Sequence, residues 1–475
     1  MSDLKLSGLL FCAAFLVRLV AWMGAAIFGT DGCHYLLMAD WMGAGRWSEA
    51  LSLSYHPMYP LLIAIARIPL DDTIRAGGLV SVTLGAAAVL PLFHVVRGAI
   101  GRPEAFVASL LYAFNPSIID AQSDVLTEGA FVFFFIASMA LTWRMMEEPT
   151  LSRAAVLGAF AAAAYLTRPE GLLAVTLALA WPLVDLIRRR DRRGLRAGGL
   201  ALTLVVVLLA VFPYLLWVKS VKGHWDWSPR SSAASLIRSA GTVLNPSVAE
   251  EARSSLFGSF AKAIYRVTYL VTIPFYLLGF FELWKRRGRP ALFLLSFPLL
   301  YLGGVLFTLR AYDFMSVRYV IPAMSVLLGV AALGLTAALR GLARRRPEPL
   351  LGAALLLLIA VLPCVRALNP TRWECLGYYT AARWIETQRR PRAMSGPIQQ
   401  VAYLSGCPSV YSATTPEGVR RQVREGRVDY YVYTEKDLEK RPEYVEMLRS
   451  CDVLEAPVEI VGPPGTWKLY VQRAK

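Results

Sequence analysis

The sequence predicts a mainly α-helical protein that crosses a membrane many times and ends in a small α/β domain. Of its 475 residues, 56% are hydrophobic and 18% are charged, and the mean hydropathy is +0.46. A soluble domain has about 25% charged residues. Apolar runs of about 20 residues recur along the chain, and a helix needs this length to cross the apolar core of a bilayer.

Most of the positive charge lies in the part of the chain that is predicted to cross the membrane. The net charge is +16 at pH 7, and residues 371–475 contribute only +3 of it. The remainder is concentrated in short Arg-rich loops. Short cytoplasmic loops of membrane proteins are enriched in Lys and Arg, so we interpret the charge as a sign of topology and expect no nucleic-acid partner.

About eleven transmembrane helices are predicted, and the Arg-rich loops set their direction. One membrane topology places all of these loops in the cytoplasm. The N-terminus is then cytoplasmic and the C-terminus periplasmic, in a multi-pass protein of the inner (plasma) membrane of a bacterium. An interfacial helix is predicted at about 57–70, and the spans at about 6–28, 76–96, 104–119, 129–146, 154–167, 171–187, 197–217, 262–284, 290–309, 320–341 and 350–368.

Two domains are predicted, a transmembrane domain at 1–370 and an extracytoplasmic α/β domain at 371–475. After residue 371, short apolar runs alternate with Pro/Gly turns and charged, helix-like segments. This alternation of strand and helix patterns is typical of a small α/β domain.

Polar side chains collect on the outer face under this topology. Ionisable groups at the edge of a bilayer are costly, and several together indicate a functional site. The alternative is that outer loops simply hold solvated charges, which explains Glu49 or Asp71 well. It explains the corner Arg168-Pro169-Glu170 poorly, because two short spans bring that corner to the face. The collected residues are Asp31, His56, Asp120, Asp124, Glu128, Arg168, Glu170, Asp313 and Arg318.

Three N-terminal segments combine these residues with aromatic residues and prolines. Asp31 precedes Tyr35-Leu36-Leu37-Met38-Ala39, His56-Pro57 precedes Met58-Tyr59-Pro60, and Leu126-Thr127-Glu128 opens a span. These segments resemble the GT-C membrane glycosyltransferases, above all the family-39 type, which includes protein O-mannosyltransferases and the aminoarabinose transferase of lipid A.

Later segments extend the resemblance over most of the chain. Arg318-Tyr319, followed by Pro322, resembles a motif of the same group. An outer C-terminal domain with Tyr403-Leu404-Ser405-Gly406 and Asp429-Tyr430 resembles the group as well.

The resemblance implies a reaction and roles for the polar residues. Such enzymes move a hexose or pentose from a polyprenyl-phosphate carrier to a lipid, glycan or protein acceptor on the outer face. It implies Asp31 as the general base for the acceptor hydroxyl, because a carboxylate in hydrogen-bond reach serves this role. Arginine forks match phosphate oxygens, so Arg168 and Arg318 are the expected phosphate ligands.

The remaining site residues are expected to bind substrate. Asp124 and Glu128 match the second acidic motif, which orients acceptor, sugar or metal. His56 fits a sugar or phosphate contact, and Glu170 and Tyr319 are further expected contacts.

One departure from the family pattern concerns metal binding. Many relatives have an Asp-Glu pair at the first acidic position, whereas this chain has Asp31-Gly32. The base is kept but its acidic neighbour is not. In some relatives such acids hold a divalent cation, and the sequence leaves that cofactor open here.

A membrane transporter or lipid flippase is the alternative from a different class. Transporters place ionisable groups near the middle of the bilayer and often show internal repeats with broken helices. Here the acids are predicted at one face and the sequence shows no repeat, so glycosyl transfer is the favoured interpretation.

Overall fold

The computed structural model describes residues 2–229, 250–286, 288–312, 316–345, 349–388, 393–410 and 413–475. The chain divides into two compact units. The larger unit comprises Met1–Trp22 and Met38–Leu368, and the smaller comprises Met23–Leu37 and Asn369–Lys475. Asp31 therefore belongs to the smaller unit.

The larger unit is helical throughout the part that the structure describes. Helix Thr30–Gly43 joins it to the smaller unit. Its other α-helices are Asp3–Met23, Trp47–Ser52, Met58–Leu70, Thr73–Ala87, Val89–Ala99, Arg102–Phe114, Pro116–Gln122, Glu128–Glu147, Leu151–Thr167, Leu172–Arg188, Arg193–Lys222, Glu250–Thr268, Ile273–Arg286, Arg289–Tyr312, Ile321–Arg345 and Pro349–Ala360.

These helices make the chain a multi-pass membrane protein, but they do not confirm a count of eleven spans. Within the described ranges, seven helices are long and apolar enough to cross a membrane, or up to eight if a bent pair counts as one span. In the same described ranges, the shorter apolar helical stretches are Met58–Leu70, Leu151–Thr167 and Ala354–Leu368, and the last of these runs from helix Pro349–Ala360 into a 3-10 helix at Leu362–Leu368.

Two predicted spans are broken. The span predicted at 104–119 ends at Phe114 and restarts at Pro116, because a residue before proline avoids the helical conformation. Asn115 is extended there, and its side chain accepts a hydrogen bond from the Ile118 N–H. The span predicted at 262–284 bends by 78° at Tyr269, whose φ of 57° is left-handed.

An arginine inside the first helix stabilises the first of these breaks. Arg18 is fully buried, and its guanidinium donates to Gln122 Oε1 at 2.9 Å and to the Ala113 carbonyl at 3.1 Å. The last carbonyls of a helix lack partners within the helix. Arg18 thus provides a hydrogen-bond donor to a carbonyl at the end of helix Arg102–Phe114, and through Gln122 it contacts the short helix that leads to Asp124.

Ion pairs tie the helices together at the end opposite Glu170. Asp185 is buried and forms ion pairs with Arg189, Arg196 and Arg289. Asp185 lies fifteen residues after Glu170 in sequence, or about 22 Å along the helix at 1.5 Å per residue. Part of the predicted cytoplasmic positive charge is therefore neutralised within the fold.

The smaller unit contains a five-stranded mixed sheet, which confirms the predicted α/β fold. The strands are β1 (Met394–Ser395), β2 (Ser409–Val410), β3 (Tyr430–Thr434), β4 (Val458–Ile460) and β5 (Leu469–Arg473), and the helices are Gly377–Glu386, Gln399–Leu404, Pro416–Arg424, Glu435–Lys440 and Pro442–Arg449. The strand order is β2-β1-β3-β5-β4; β1 is parallel to β2 and β3, and β5 is antiparallel to β3 and β4.

The segment just before Asp31 packs onto the body of the smaller unit. Ala25 forms a parallel bridge with Thr371. The Phe28 ring meets the Tyr403 ring edge to face, with their centroids 5.7 Å apart. Asp31 follows in the first turn of helix Thr30–Gly43, so its backbone is fixed by helix structure rather than lying in a loop.

Candidate functional site

Arg168 and Glu170 lie on a tight corner between two helices of the larger unit. Helix Leu151–Thr167 ends because Arg168 precedes a proline and is extended, with φ −153° and ψ 145°. A short 3-10 turn, Pro169–Gly171, then leads into the next helix. A Cβ at position 171 would lie 2.3 Å from backbone atoms of Ala164, so only glycine permits this corner.

A second close approach positions Glu128, the first residue of helix Glu128–Glu147. A Cβ on Gly129 would lie 2.4 Å from the Ser81 carbonyl oxygen, so glycine lets this helix contact the helix Thr73–Ala87. Ser81 Oγ donates to the Leu126 carbonyl at 3.1 Å, and it also lies 2.7 Å from Tyr59 Oη. These contacts fix the start of the helix that presents Glu128.

Four charged side chains meet in this part of the larger unit. Arg168 donates from Nη1 to Glu128 Oε1 at 2.8 Å, from Nη2 to Glu170 Oε1 at 3.1 Å, and from Nε to Glu170 Oε2 at 3.3 Å. Arg318 Nε lies 3.8 Å from Glu128 Oε1. We call Glu128, Arg168, Glu170 and Arg318 the charge cluster; its formal charges sum to zero.

Aromatic rings cover the Arg168 guanidinium. Its central carbon lies 5.6 Å from the Phe131 ring centroid and 5.3 Å from that of Tyr319. The Arg168 side chain is 11% exposed, whereas that of Arg318 is 30% exposed. Within the charge cluster, Arg318 is therefore the cation that is more open to a ligand.

Burial and neighbouring charges shift the pKa of two groups in or beside the charge cluster. Burial lowers the pKa of the Arg168 guanidinium, but the Glu170 and Glu128 carboxylates raise that pKa by more, so it stays well above its usual value. Burial raises the pKa of the Tyr319 phenol. Arg168 is thus held as a cation and Tyr319 as a neutral phenol.

His56 lies in an aromatic pocket close to the charge cluster. Its Nδ1 is 2.8 Å from the Tyr165 carbonyl oxygen, and because a carbonyl only accepts, Nδ1 must have the proton. The imidazole also packs against the rings of Tyr165 and Tyr214, with centroids 5.5 Å and 5.1 Å away. His56 interacts electrostatically with Glu170.

The other predicted acids have different surroundings. Asp124 is buried, and its Oδ1 accepts a hydrogen bond from the Val125 N–H at 2.7 Å. Asp120, four residues earlier, is exposed. Asp31 is partly exposed in the smaller unit. Asp313 lies outside the described residues.

No arrangement for a metal ion is found among the residues that the structure describes. They contain no group of three or more His, Cys, Asp or Glu side chains placed to hold one. The two acids beside Arg168 are instead both bonded to its guanidinium.

Sequence reasoning named Tyr319 but missed two other uncharged residues around the charge cluster. Phe131 covers one face of Arg168, and Tyr301 contacts Phe131 from another helix, with centroids 6.0 Å apart. Aromatic residues are common in apolar spans, so these two give no contrast with their neighbours. The only available signal for Phe131 is its spacing of three from Glu128, which places both on one helix face.

Part of the chain matches a known family. Residues 54–217 match the dolichyl-phosphate-mannose-protein mannosyltransferase family. The matched part is less than half of the chain, and it contains His56, Asp124, Glu128, Arg168 and Glu170. The sequence matches no curated protein.

Solved structures of two membrane enzymes share the fold. ArnT from Cupriavidus metallidurans, bound to undecaprenyl phosphate, superposes with a TM-score of 0.64 at 15% identity, over 99% of this chain and 98% of that one. The oligosaccharyltransferase AglB from Archaeoglobus fulgidus, in complex with an inhibitory peptide and a dolichol-phosphate, gives 0.60 at 12% identity, over 98% and 73%. The chain therefore has the GT-C fold, as the sequence predicts.

Proposed function

We propose that this protein is an inverting glycosyltransferase. It moves a monosaccharide, a hexose or a pentose, from a polyprenyl-phosphate-linked donor to a lipid, glycan or protein acceptor on the outer face of the membrane. The observation that supports this most is the charge cluster, in which paired arginines and acids lie at helix ends within a GT-C fold.

The solved structures support a lipid-phosphate donor. The ArnT structure is bound to undecaprenyl phosphate, and the AglB structure is in complex with a dolichol-phosphate. A lipid phosphate left after transfer has the same headgroup as these ligands. An enzyme that releases it needs cations for the phosphate, and the charge cluster contains two.

The proposed reaction is a single displacement at the anomeric carbon. The Asp31 carboxylate takes the proton of the acceptor hydroxyl, whose oxygen forms the new bond to that carbon. The bond from this carbon to the phosphate oxygen breaks, and the electron pair leaves with the phosphate. One displacement inverts the anomeric configuration.

The two arginines have different roles toward the leaving phosphate. Arg318 is the more exposed, and we assign it the direct phosphate contact. Arg168 uses three of its five N–H donors on Glu128 and Glu170, which leaves two for a ligand. Arg168 therefore mainly holds the two acids in place, with a secondary phosphate contact.

The remaining residues bind the sugar or the acceptor. Glu128 and Glu170 offer carboxylate oxygens to hydroxyl groups. His56, with its proton on Nδ1, presents Nε2 to a substrate hydroxyl. Tyr319 is a neutral hydroxyl beside Arg168, and Asp124 orients the acceptor or sugar from the segment before Glu128.

A donor panel tests the proposal. Purified protein is incubated with polyprenyl-phosphate mannose, glucose, galactose, arabinose and aminoarabinose, together with a membrane lipid extract. We expect one donor to be consumed, with free polyprenyl phosphate and a glycosylated acceptor appearing in equal amounts by mass spectrometry. Recovery of every donor intact from folded protein would refute the function.

We also propose an orientation in the inner (plasma) membrane, with the N-terminus cytoplasmic and the C-terminus periplasmic. The Arg-rich loops support it through the positive-inside tendency. Alkaline phosphatase fused after Lys475 should be active, since it needs an oxidising compartment to form its disulfides. Activity of a cytoplasm-only reporter at the same position would reverse the orientation.

A further inference from the structure

Several buried polar atoms of the larger unit have no hydrogen-bond partner among the described residues, and two of them lie in or beside the charge cluster. These two are Oε2 of Glu128 and the phenol oxygen of Tyr301. Glu128 is 2% exposed and Tyr301 is fully buried. Leaving a buried polar group without a hydrogen bond destabilises a fold, and a charged group costs more than a neutral one, so both atoms need an explanation.

Tyr301 borders the charge cluster although it comes from a different helix, Arg289–Tyr312. Its ring centroid lies 6.0 Å from that of Phe131 and 5.4 Å from that of Phe135. The same Phe131 ring lies against Arg168. The Tyr301 phenol also interacts electrostatically with Glu128 and Glu170.

The two unsatisfied atoms have complementary chemistry. An ionised carboxylate oxygen only accepts hydrogen bonds, whereas a phenol can donate one. An alcohol hydroxyl satisfies both, since it can donate to Glu128 and accept from Tyr301. A phosphate would be repelled by the carboxylate, and Arg168 and Arg318 already supply the local cations.

We propose that Tyr301 and Glu128 together bind one hydroxyl group of the substrate, which makes Tyr301 a specificity-determining residue. The inference rests on the proposed glycosyl transfer and adds a residue to that site. The hydroxyl comes from the sugar of the donor or from the acceptor. The chemistry of the two is the same, and the experiment distinguishes them.

The test replaces Tyr301 by Phe, which removes a single oxygen atom. Because that oxygen has no hydrogen-bond partner in the described part of the chain, Tyr301→Phe should be at least as stable as the wild type. Tyr276→Phe is the matched control. Tyr276 is also buried in an apolar helix with an unbonded hydroxyl, but no charged side chain in the described part of the chain acts on it.

Binding and turnover are measured with the donor that the wild type consumes and with polyprenyl phosphate lacking a sugar. Loss of one hydrogen bond should weaken substrate binding by Tyr301→Phe about 3- to 10-fold. If the hydroxyl is on the donor, affinity for the sugar-bearing donor falls while affinity for bare polyprenyl phosphate is unchanged. If it is on the acceptor, donor affinity is unchanged and the KM for the acceptor rises. Tyr276→Phe should match the wild type throughout.

Three results would overturn the inference. Unchanged binding and kinetics in Tyr301→Phe would mean that only water bridges the two atoms. Lower stability of Tyr301→Phe would mean that the hydroxyl is bonded within the fold. An equal loss in Tyr276→Phe would make the effect nonspecific. Wild-type protein that transfers no sugar would instead refute the proposed function itself.

Discussion

Removing Arg168 should destabilise the larger unit, because this side chain neutralises two acids at once. In Arg168→Met, Glu128 and Glu170 would lose the guanidinium that now lies 2.8 Å and 3.1 Å from them. Breaking a buried ion pair by deleting one partner costs about 3–5 kcal/mol. Glu128 is 2% exposed, so this range applies, and Arg318 at 3.8 Å moves the expected loss toward its lower end.

The magnitude is measured as the free energy of unfolding in a fixed detergent, by denaturant titration followed by circular dichroism. Arg67→Met is the control, because Arg67 and Asp40 form an ion pair at 2.7 Å with side chains 38% and 30% exposed. Exposed pairs contribute about 0–1 kcal/mol. Adding Glu128→Gln to Arg168→Met should recover part of the loss, because one unpaired buried charge is then gone. If Arg168→Met lowers the free energy of unfolding by no more than Arg67→Met does, the charge cluster does not stabilise the fold as a buried ion pair.

Two further variants test the assigned roles. Asp31→Asn should fold and bind the donor but transfer sugar about 100-fold or more slowly, the usual cost of losing a general base; near-wild-type turnover would make Asp31 a bystander. Arg318→Lys keeps the charge but loses the planar fork, so donor affinity should fall about tenfold. Arg340→Lys is its control, because Arg340 pairs with Glu104 instead; an unchanged donor affinity in Arg318→Lys would leave that residue a structural role.

The fold was predictable because a bilayer imposes a minimum apolar length on each span. The breaks within two of the predicted spans were harder to predict. Pro116 is a local signal for the end of a helix at Phe114, but the bend at Tyr269 has no such signal in its neighbours. Arg18 could not be assigned a role, because Gln122, its partner, lies 104 residues away in sequence.

The charged part of the site was predictable for a related reason. Glu128, Arg168 and Arg318 stand out in an apolar chain, where each ionisable group is costly. Their pairing was not predictable, since it depends on how distant helices pack. Tyr301 could not be identified, because a tyrosine in an apolar span has no sequence feature that distinguishes it from other core residues. It is marked only by its buried oxygen, which has no hydrogen-bond partner among the described residues.

The anomeric configuration of the transferred sugar tests the central claim most directly. Purified protein is given the donor that it consumes, and the anomeric configurations of product and donor are compared by NMR, from the coupling between the anomeric carbon and its proton. A single displacement of lipid phosphate predicts a product of opposite configuration, released together with one polyprenyl phosphate per sugar. Retained configuration, or no transfer from any lipid-linked donor, would contradict the account.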